Sequence, residues 1–157
     1  MRQYRIFLDA GVYIAGAGSA SGGSRQILDW CAERLLHPFT SRQVLFEVRR
    51  NVAKKLPRAI AAVERILQAV DSTLSPEPTD KEIEHATRVV PEKDAPILAA
   101  ARKANVDYFV TLDRKHFKQP RVQATVPFRI VLPEEFAPLI RAELVQEAGE
   151  QEDETEE

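Results

Sequence analysis

Acidic residues stand where predicted strands end and predicted helices begin, and this placement constrains the fold more than any other feature. Asp94 opens the Ala-rich segment 95–101, which predicts a helix, and Asp113 ends the apolar run 108–112, which predicts a buried strand. Asp9 likewise follows the first apolar strand. Ligands of open α/β sheets bind at the edge where the carboxyl ends of parallel strands meet. The sequence therefore predicts an α/β fold with a divalent-metal site at one edge of its sheet.

Strands and helices alternate along the chain. The predicted strands are 5–8, 39–40, 73–74, 108–112 and 128–131. The predicted helices are 25–35, 41–56, 58–70, 81–89, the Ala-rich segment and 134–144, and a Gly/Ser loop is predicted at 19–24. Such alternation is typical of a parallel sheet covered on both faces. We therefore expect a three-layer α/β/α sandwich with no internal repeat.

The composition is that of one folded domain. The 157 residues are 44% hydrophobic and 29% charged, which excludes a largely disordered chain. The single cysteine, Cys31, allows no internal disulfide and favours a reducing compartment. The first apolar stretch is too short to span a bilayer and contains Asp9. We expect a cytoplasmic protein without a membrane anchor.

Charge is distributed unevenly. From Glu143 onward there are eight acids and no Lys or Arg, so the preceding residues carry 22 bases against 16 acids. We expect a domain at 1–145 and an acidic, disordered tail at 146–157. A mildly basic body can attract a polyanion. The candidate nucleic-acid contacts are Arg25, Arg49, Arg50, Lys54, Lys55 and Arg114.

Each acid also has an ordinary structural explanation. Asp9 could cap the next turn, and Asp94 could cap the Ala-rich helix. Glu47 could pair with Arg50 on a helix surface, and Asp113 could be a turn residue. A strand end, however, needs no charge, and burial would penalise one unless a cation or hydrogen-bond donors compensate. Two strands that both end in Asp therefore favour a shared site.

Other motifs carry less weight. The run 16–23 is rich in glycine but lacks the third Gly of a dinucleotide fingerprint and lies too far from the strand end. His37, His85 and His116 are dispersed without metal-ligand spacing, and we expect all three to be structural. Gly11 occupies the position where a haloacid dehalogenase-type phosphatase needs a second Asp. A receiver domain would need an acidic pair on the first strand.

The order of the acids is similar to that of the PIN-domain nucleases. Asp9 follows strand one, Glu47 lies in the helix containing Val44-Leu45-Phe46-Glu47-Val48, and Asp94 and Asp113 stand in Lys93-Asp94-Ala95-Pro96 and Val110-Thr111-Leu112-Asp113. The resemblance spans residues 4–132. It implies a five-stranded parallel sheet and metal-dependent hydrolysis of RNA.

The resemblance further implies roles for individual residues. Asp9, Glu47, Asp94 and Asp113 would hold one or two Mg²⁺ or Mn²⁺ ions, and Thr111 would support them by hydrogen bonding. Many members of the family are toxins of toxin–antitoxin pairs, so an antitoxin partner and a homodimer are compatible with the resemblance. The family usually has Asn, Ser or Thr where this chain has Gly11. The alternative function is a catalytically weak module that binds RNA or a partner protein.

Overall fold

The computed structural model describes residues 1–156, and its centre is a single five-stranded parallel sheet. The strands are β1 (Arg5–Leu8), β2 (His37–Thr40), β3 (Thr73–Leu74), β4 (Tyr108–Val110) and β5 (Arg129–Val131). Their order in the sheet is β3-β2-β1-β4-β5, and every neighbouring pair is parallel. The predicted α/β class with five parallel strands is confirmed.

Eight α-helices accompany the strands within the described residues. They are α1 (Ala10–Gly18), α2 (Gly23–Ala32), α3 (Arg42–Lys55), α4 (Ile60–Val70), α5 (Asp80–Ala86), α6 (Ala95–Ala104), α7 (Pro120–Gln123) and α8 (Pro133–Glu156), with a 3₁₀ turn at Pro57–Ala59. Ser41 caps α3, because its hydroxyl accepts a hydrogen bond from Val44 N–H at 3.2 Å. Within residues 1–156, no helix combines the length and apolar composition needed to cross a membrane.

The central strand fixes which residues meet at the carboxyl edge of the sheet. In β1, Ile6, Phe7 and Leu8 are completely buried, as a parallel strand covered on both faces requires. β1 pairs with β4 in a register that sets Leu8 opposite Val110. The residues that follow these two strands therefore emerge side by side.

The region between β1 and residue 25 differs from the sequence prediction. A Gly/Ser loop was expected at 19–24 and no helix before it, but α1 occupies Ala10–Gly18 and α2 already begins at Gly23. Gly16 lies inside α1, where a Cβ atom would come within 2.3 Å of Leu28 Cδ1 on α2. This glycine therefore reflects close helix packing and not a loop.

The C-terminal segment also differs from the prediction. Disorder was predicted for 146–157, whereas α8 is helical through Glu156; Glu157 lies outside the described residues. Every residue from Ala148 to Glu156 is exposed. The prediction of disorder is wrong for 146–156 because Glu, Gln and Ala favour a helix even without burial.

Candidate metal centre

Asp9 lies at the carboxyl edge of the central strand and is 8% exposed. Its Oδ1 accepts a hydrogen bond from Ala10 N–H at 2.8 Å, so Asp9 caps α1. Burial raises the pKa of Asp9 from 3.8 to about 6; hydrogen bonds from Thr111 and Ala10 oppose this, and the charges of Glu47 and Asp113 raise it further. Capping alone leaves this carboxylate incompletely compensated.

Thr111 joins the ends of two strands. It is fully buried, its hydroxyl donates to Asp9 Oδ2 at 2.7 Å, and the same oxygen accepts from Asp113 N–H at 3.0 Å. β4 ends at Val110, one residue before it, and not at residue 112 as predicted. Thr111 therefore fixes the orientation of one acid and the backbone of another.

Asp94 precedes α6 in the N-cap position, but its side chain makes no capping hydrogen bond. The side chain is 10% exposed, and within the described residues Oδ2 is buried without a hydrogen-bond partner. Burial raises the pKa of Asp94. The charges of Lys93 and His116 lower this pKa, and the charge of Asp113 raises it. A buried carboxylate oxygen without a partner is costly unless a cation or a donor meets it. The capping explanation therefore does not account for Asp94.

Asp113 and His116 approach Asp94 from the turn after β4. His116 N–H donates to Asp113 Oδ1 at 2.9 Å. His116 Nδ1 lies 3.1 Å from Asp94 Oδ2 and 3.2 Å from Asp113 Oδ2, yet it forms no hydrogen bond with the correct direction to any described residue. One ligand atom from each of these residues lies within 4.8 Å of the other two.

His116 was missing from the sequence prediction. The expectation that all three histidines are structural did not anticipate that the ring nitrogen of His116 faces two of the predicted acids. The only sequence signal was its position three residues after Asp113, which places both residues in one turn. His85 is exposed, and His37 contacts Thr73 through Nε2.

Glu47 lies in the middle of α3 and is half-buried. Gln43 Nε2 lies 3.4 Å from its Oε1, and its negative charge contributes to the raised pKa of Asp9. Glu47 therefore faces Asp9 closely enough to repel it, although it does not belong to the tight group around His116. The structure thus brings Asp94 and Asp113 together and couples Asp9 electrostatically to Glu47 and Asp113.

The donor set fits a divalent cation. Carboxylate oxygens are the ligands that Mg²⁺ and Mn²⁺ prefer, and an imidazole nitrogen also suits transition metals. Two buried polar atoms that lack hydrogen bonds, Asp94 Oδ2 and His116 Nδ1, face each other in this group. A cation between them would satisfy both atoms and relieve the repulsion among the acids.

Three of the predicted nucleic-acid contacts are engaged in ion pairs. Arg25 pairs with Asp29, Arg49 with Glu64 at 2.8 Å and Arg114 with Glu134. Arg114 therefore pairs with an acid of α8 and not with Asp113. Arg50 lies over the ring of Phe46, which is 57% exposed. Lys54 and Lys55 are exposed and form no ion pair with residues 1–156.

Comparisons with known proteins agree with the fold. The sequence profile of the PIN domain matches residues 5–115, a range that contains all four acids. Comparison with curated proteins gives no match. The crystal structure of PAE2754 from Pyrobaculum aerophilum is similar, with a TM-score of 0.63 at 16% identity, over 88% of this chain and 90% of that chain. The crystal structure of VapBC2 from Rickettsia felis, bound to a DNA fragment from their promoter, is also similar. Its TM-score is 0.61 at 15% identity, over 82% of this chain and 98% of that chain.

Proposed function

This chain belongs to the PIN domain family, a family of nucleases, and from that premise we propose that it is a metal-dependent endoribonuclease. The proposed site consists of Asp9, Glu47, Asp94 and Asp113, and the proposed cofactor is Mg²⁺ or Mn²⁺. Asp94 carries this assignment: its oxygen Oδ2 is buried, lacks a hydrogen bond and faces a second acid and a histidine. Helix capping does not explain that arrangement, because the Asp94 side chain makes no capping hydrogen bond.

The residues of the site would have different roles. Asp94 and Asp113 would hold the metal, and Asp9 and Glu47 would complete the ligand set or hold a second ion. Thr111 would keep Asp9 in place, since its hydroxyl donates to Oδ2 and leaves the other lone pairs of the carboxylate free. When bound, the metal would lower the pKa of a coordinated water and stabilise charge on the departing oxygen.

The positive charges outside the site support a polyanionic substrate. Lys54, Lys55 and Arg50 lie on α3, the helix that also carries Glu47. Exposed Phe46 adds an aromatic face on which an unpaired base could stack. We therefore favour single-stranded or loop RNA over a rigid duplex, because only unpaired bases can reach an aromatic side chain.

We also propose a protein partner and a cytoplasmic location. The similarity to a VapBC2 structure supports an antitoxin partner for this chain. The one cysteine, Cys31, is buried as a free thiol, which is consistent with a reducing compartment.

A catalytically weak binding module is the second candidate function, and Gly11 favours it. The family usually has a hydrogen-bonding side chain at this position, where the chain offers none. A Cβ atom at Gly11 would lie 3.3 Å from Leu112 Cδ1, and Leu112 is 46% exposed. A serine would therefore fit after a small shift of an exposed side chain, so glycine is not required by packing.

Cleavage of a labelled single-stranded RNA separates the two functions. We expect the wild type to cleave with millimolar Mn²⁺ and to be inactive with chelator. Asp94→Asn and Asp113→Asn should each reduce the rate by at least about 100-fold, since changes even outside a ligand shell cost 10–100-fold. Asp153→Asn, an exposed aspartate of α8, is the matched control and should cleave normally. RNA binding by the wild type without metal-dependent cleavage would favour the binding module.

A further inference from the structure

His116 stands beside the proposed acids, and its ring nitrogen Nδ1 approaches a carboxylate oxygen of both Asp94 and Asp113. Its side chain is 23% exposed, but Nδ1 itself is buried and makes no hydrogen bond with the described residues. The backbone N–H of the same residue holds Asp113 Oδ1 at 2.9 Å, which leaves Asp113 Oδ2 directed towards the ring. The turn thus presents a nitrogen and an oxygen together to the buried oxygen of Asp94.

Two distances in this group match those between neighbouring ligands of one metal ion. Ligand atoms at right angles around an octahedral ion, each about 2.1 Å from it, lie about 3.0 Å apart. His116 Nδ1 lies 3.1 Å from Asp94 Oδ2 and 3.2 Å from Asp113 Oδ2. Around such an ion each neighbouring oxygen lies about 45° away from the nitrogen lone pair, which is too oblique for a good N–H···O bond. This explains why two contacts near 3 Å produce no hydrogen bond.

We infer that His116 is a third protein ligand of the metal held by Asp94 and Asp113, and that its nitrogen makes the site prefer Mn²⁺ to Mg²⁺. Mg²⁺ binds hard oxygen ligands, whereas transition metals accept an imidazole nitrogen readily. The inference rests on the proposed metal centre. It adds the identity of a ligand and an order of metal preference, both of which can be measured without cleavage.

The test uses the full chain with Mn²⁺ as the probe. Pulsed electron paramagnetic resonance of the Mn²⁺-loaded wild type should show coupling to an imidazole ¹⁴N nucleus. His116→Asn places an amide group near the position of Nδ1, so it should lose the imidazole coupling and bind Mn²⁺ at least about tenfold more weakly. Its affinity for Mg²⁺ should change less, so that the preference for Mn²⁺ falls. His85→Asn, at an exposed histidine of α5, is the control and should retain both the coupling and the affinity.

The outcomes distinguish this inference from the proposed function. Mn²⁺ binding without ¹⁴N coupling in the wild type would overturn the role of His116 and leave the ribonuclease proposal intact. No Mn²⁺ binding by the wild type would overturn both. The spectrum of the wild type decides the question even if His116→Asn fails to fold.

Discussion

Replacing Asp9 by Asn should stabilise the metal-free protein at neutral pH. Asp9 is buried next to the charges of Glu47 and Asp113, and its pKa rises from 3.8 to about 6. This difference corresponds to about 3 kcal/mol of native-state free energy when the carboxyl is ionised. Asn keeps the shape and can still accept from Ala10 N–H, but it weakens the bond to Thr111 by about 1 kcal/mol. The net gain in the free energy of unfolding should be about 2 kcal/mol.

The pH dependence follows from the direction of the pKa shift. Because the native state holds the Asp9 proton more tightly than the unfolded chain does, protonation stabilises the wild type fully below about pH 4. This stabilisation is lost as the pH rises through about 6. The variant has no ionisable group at position 9, so its advantage should appear across this window and level off near pH 7.

Urea unfolding with chelator, from pH 4 to 8, measures this advantage as a difference between two proteins. Groups that titrate in both proteins contribute equally to the free energy of unfolding and cancel in that difference. The control variant Asp153→Asn should have the same free energy of unfolding as the wild type at each pH. Mn²⁺ at one hundred times its dissociation constant should add about 2.7 kcal/mol to the wild type and less to Asp9→Asn. The reasoning fails if Asp9→Asn is less stable than the wild type at pH 7.5, or if the difference does not vary with pH.

Three further changes test other parts of the molecule. Thr111→Val should lower the free energy of unfolding in urea by about 1–3 kcal/mol, because it removes the partner of the buried Asp9 Oδ2 and of the part-buried Asp113 N–H; an unchanged value would contradict the role of this hydroxyl. Lys54→Ala and Lys55→Ala should each reduce the slope of log RNA affinity against log salt by about 0.7 if each contacts one phosphate of a single strand; an unchanged slope would place the RNA elsewhere. Truncation after Ala148 should leave the thermal midpoint within about 2 °C, since residues 149–156 are exposed, and should tighten non-specific RNA binding; a drop of several degrees would show that the helical tail packs.

The sheet and the placement of its acids were predictable because both leave local signals. Short apolar runs marked the strands, and the acids that ended them marked the carboxyl edge where Asp9 and Asp113 emerge. The start of α6 also had a local signal, since Asp94 is its N-cap residue and Pro96 lies in its first turn. Sequence could not show that Asp94 leaves its capping role unused, because this depends on groups packed against it from another element.

Other features depended on tertiary context. His116 gained significance only when the turn after β4 folded back on α6, and no spacing rule covers one histidine and two acids from different elements. α1 was missed because its glycines resemble loop residues, while Gly16 in fact packs closely against Leu28 of α2. The acidic tail has no core contact, so its helix follows from intrinsic propensity and not from the hydrophobic pattern.

The pairing of β1 with β4 sets when the site can exist during synthesis of the chain. Asp9 and the hydroxyl that holds it are 102 residues apart in sequence. At typical rates of 5–20 residues per second, about 5–20 s pass between the synthesis of these two residues. Until β4 emerges, β1 has no partner on that side, and the closing contact is a slow, non-local one. A nascent or truncated chain that ends before Thr111 therefore lacks the assembled centre.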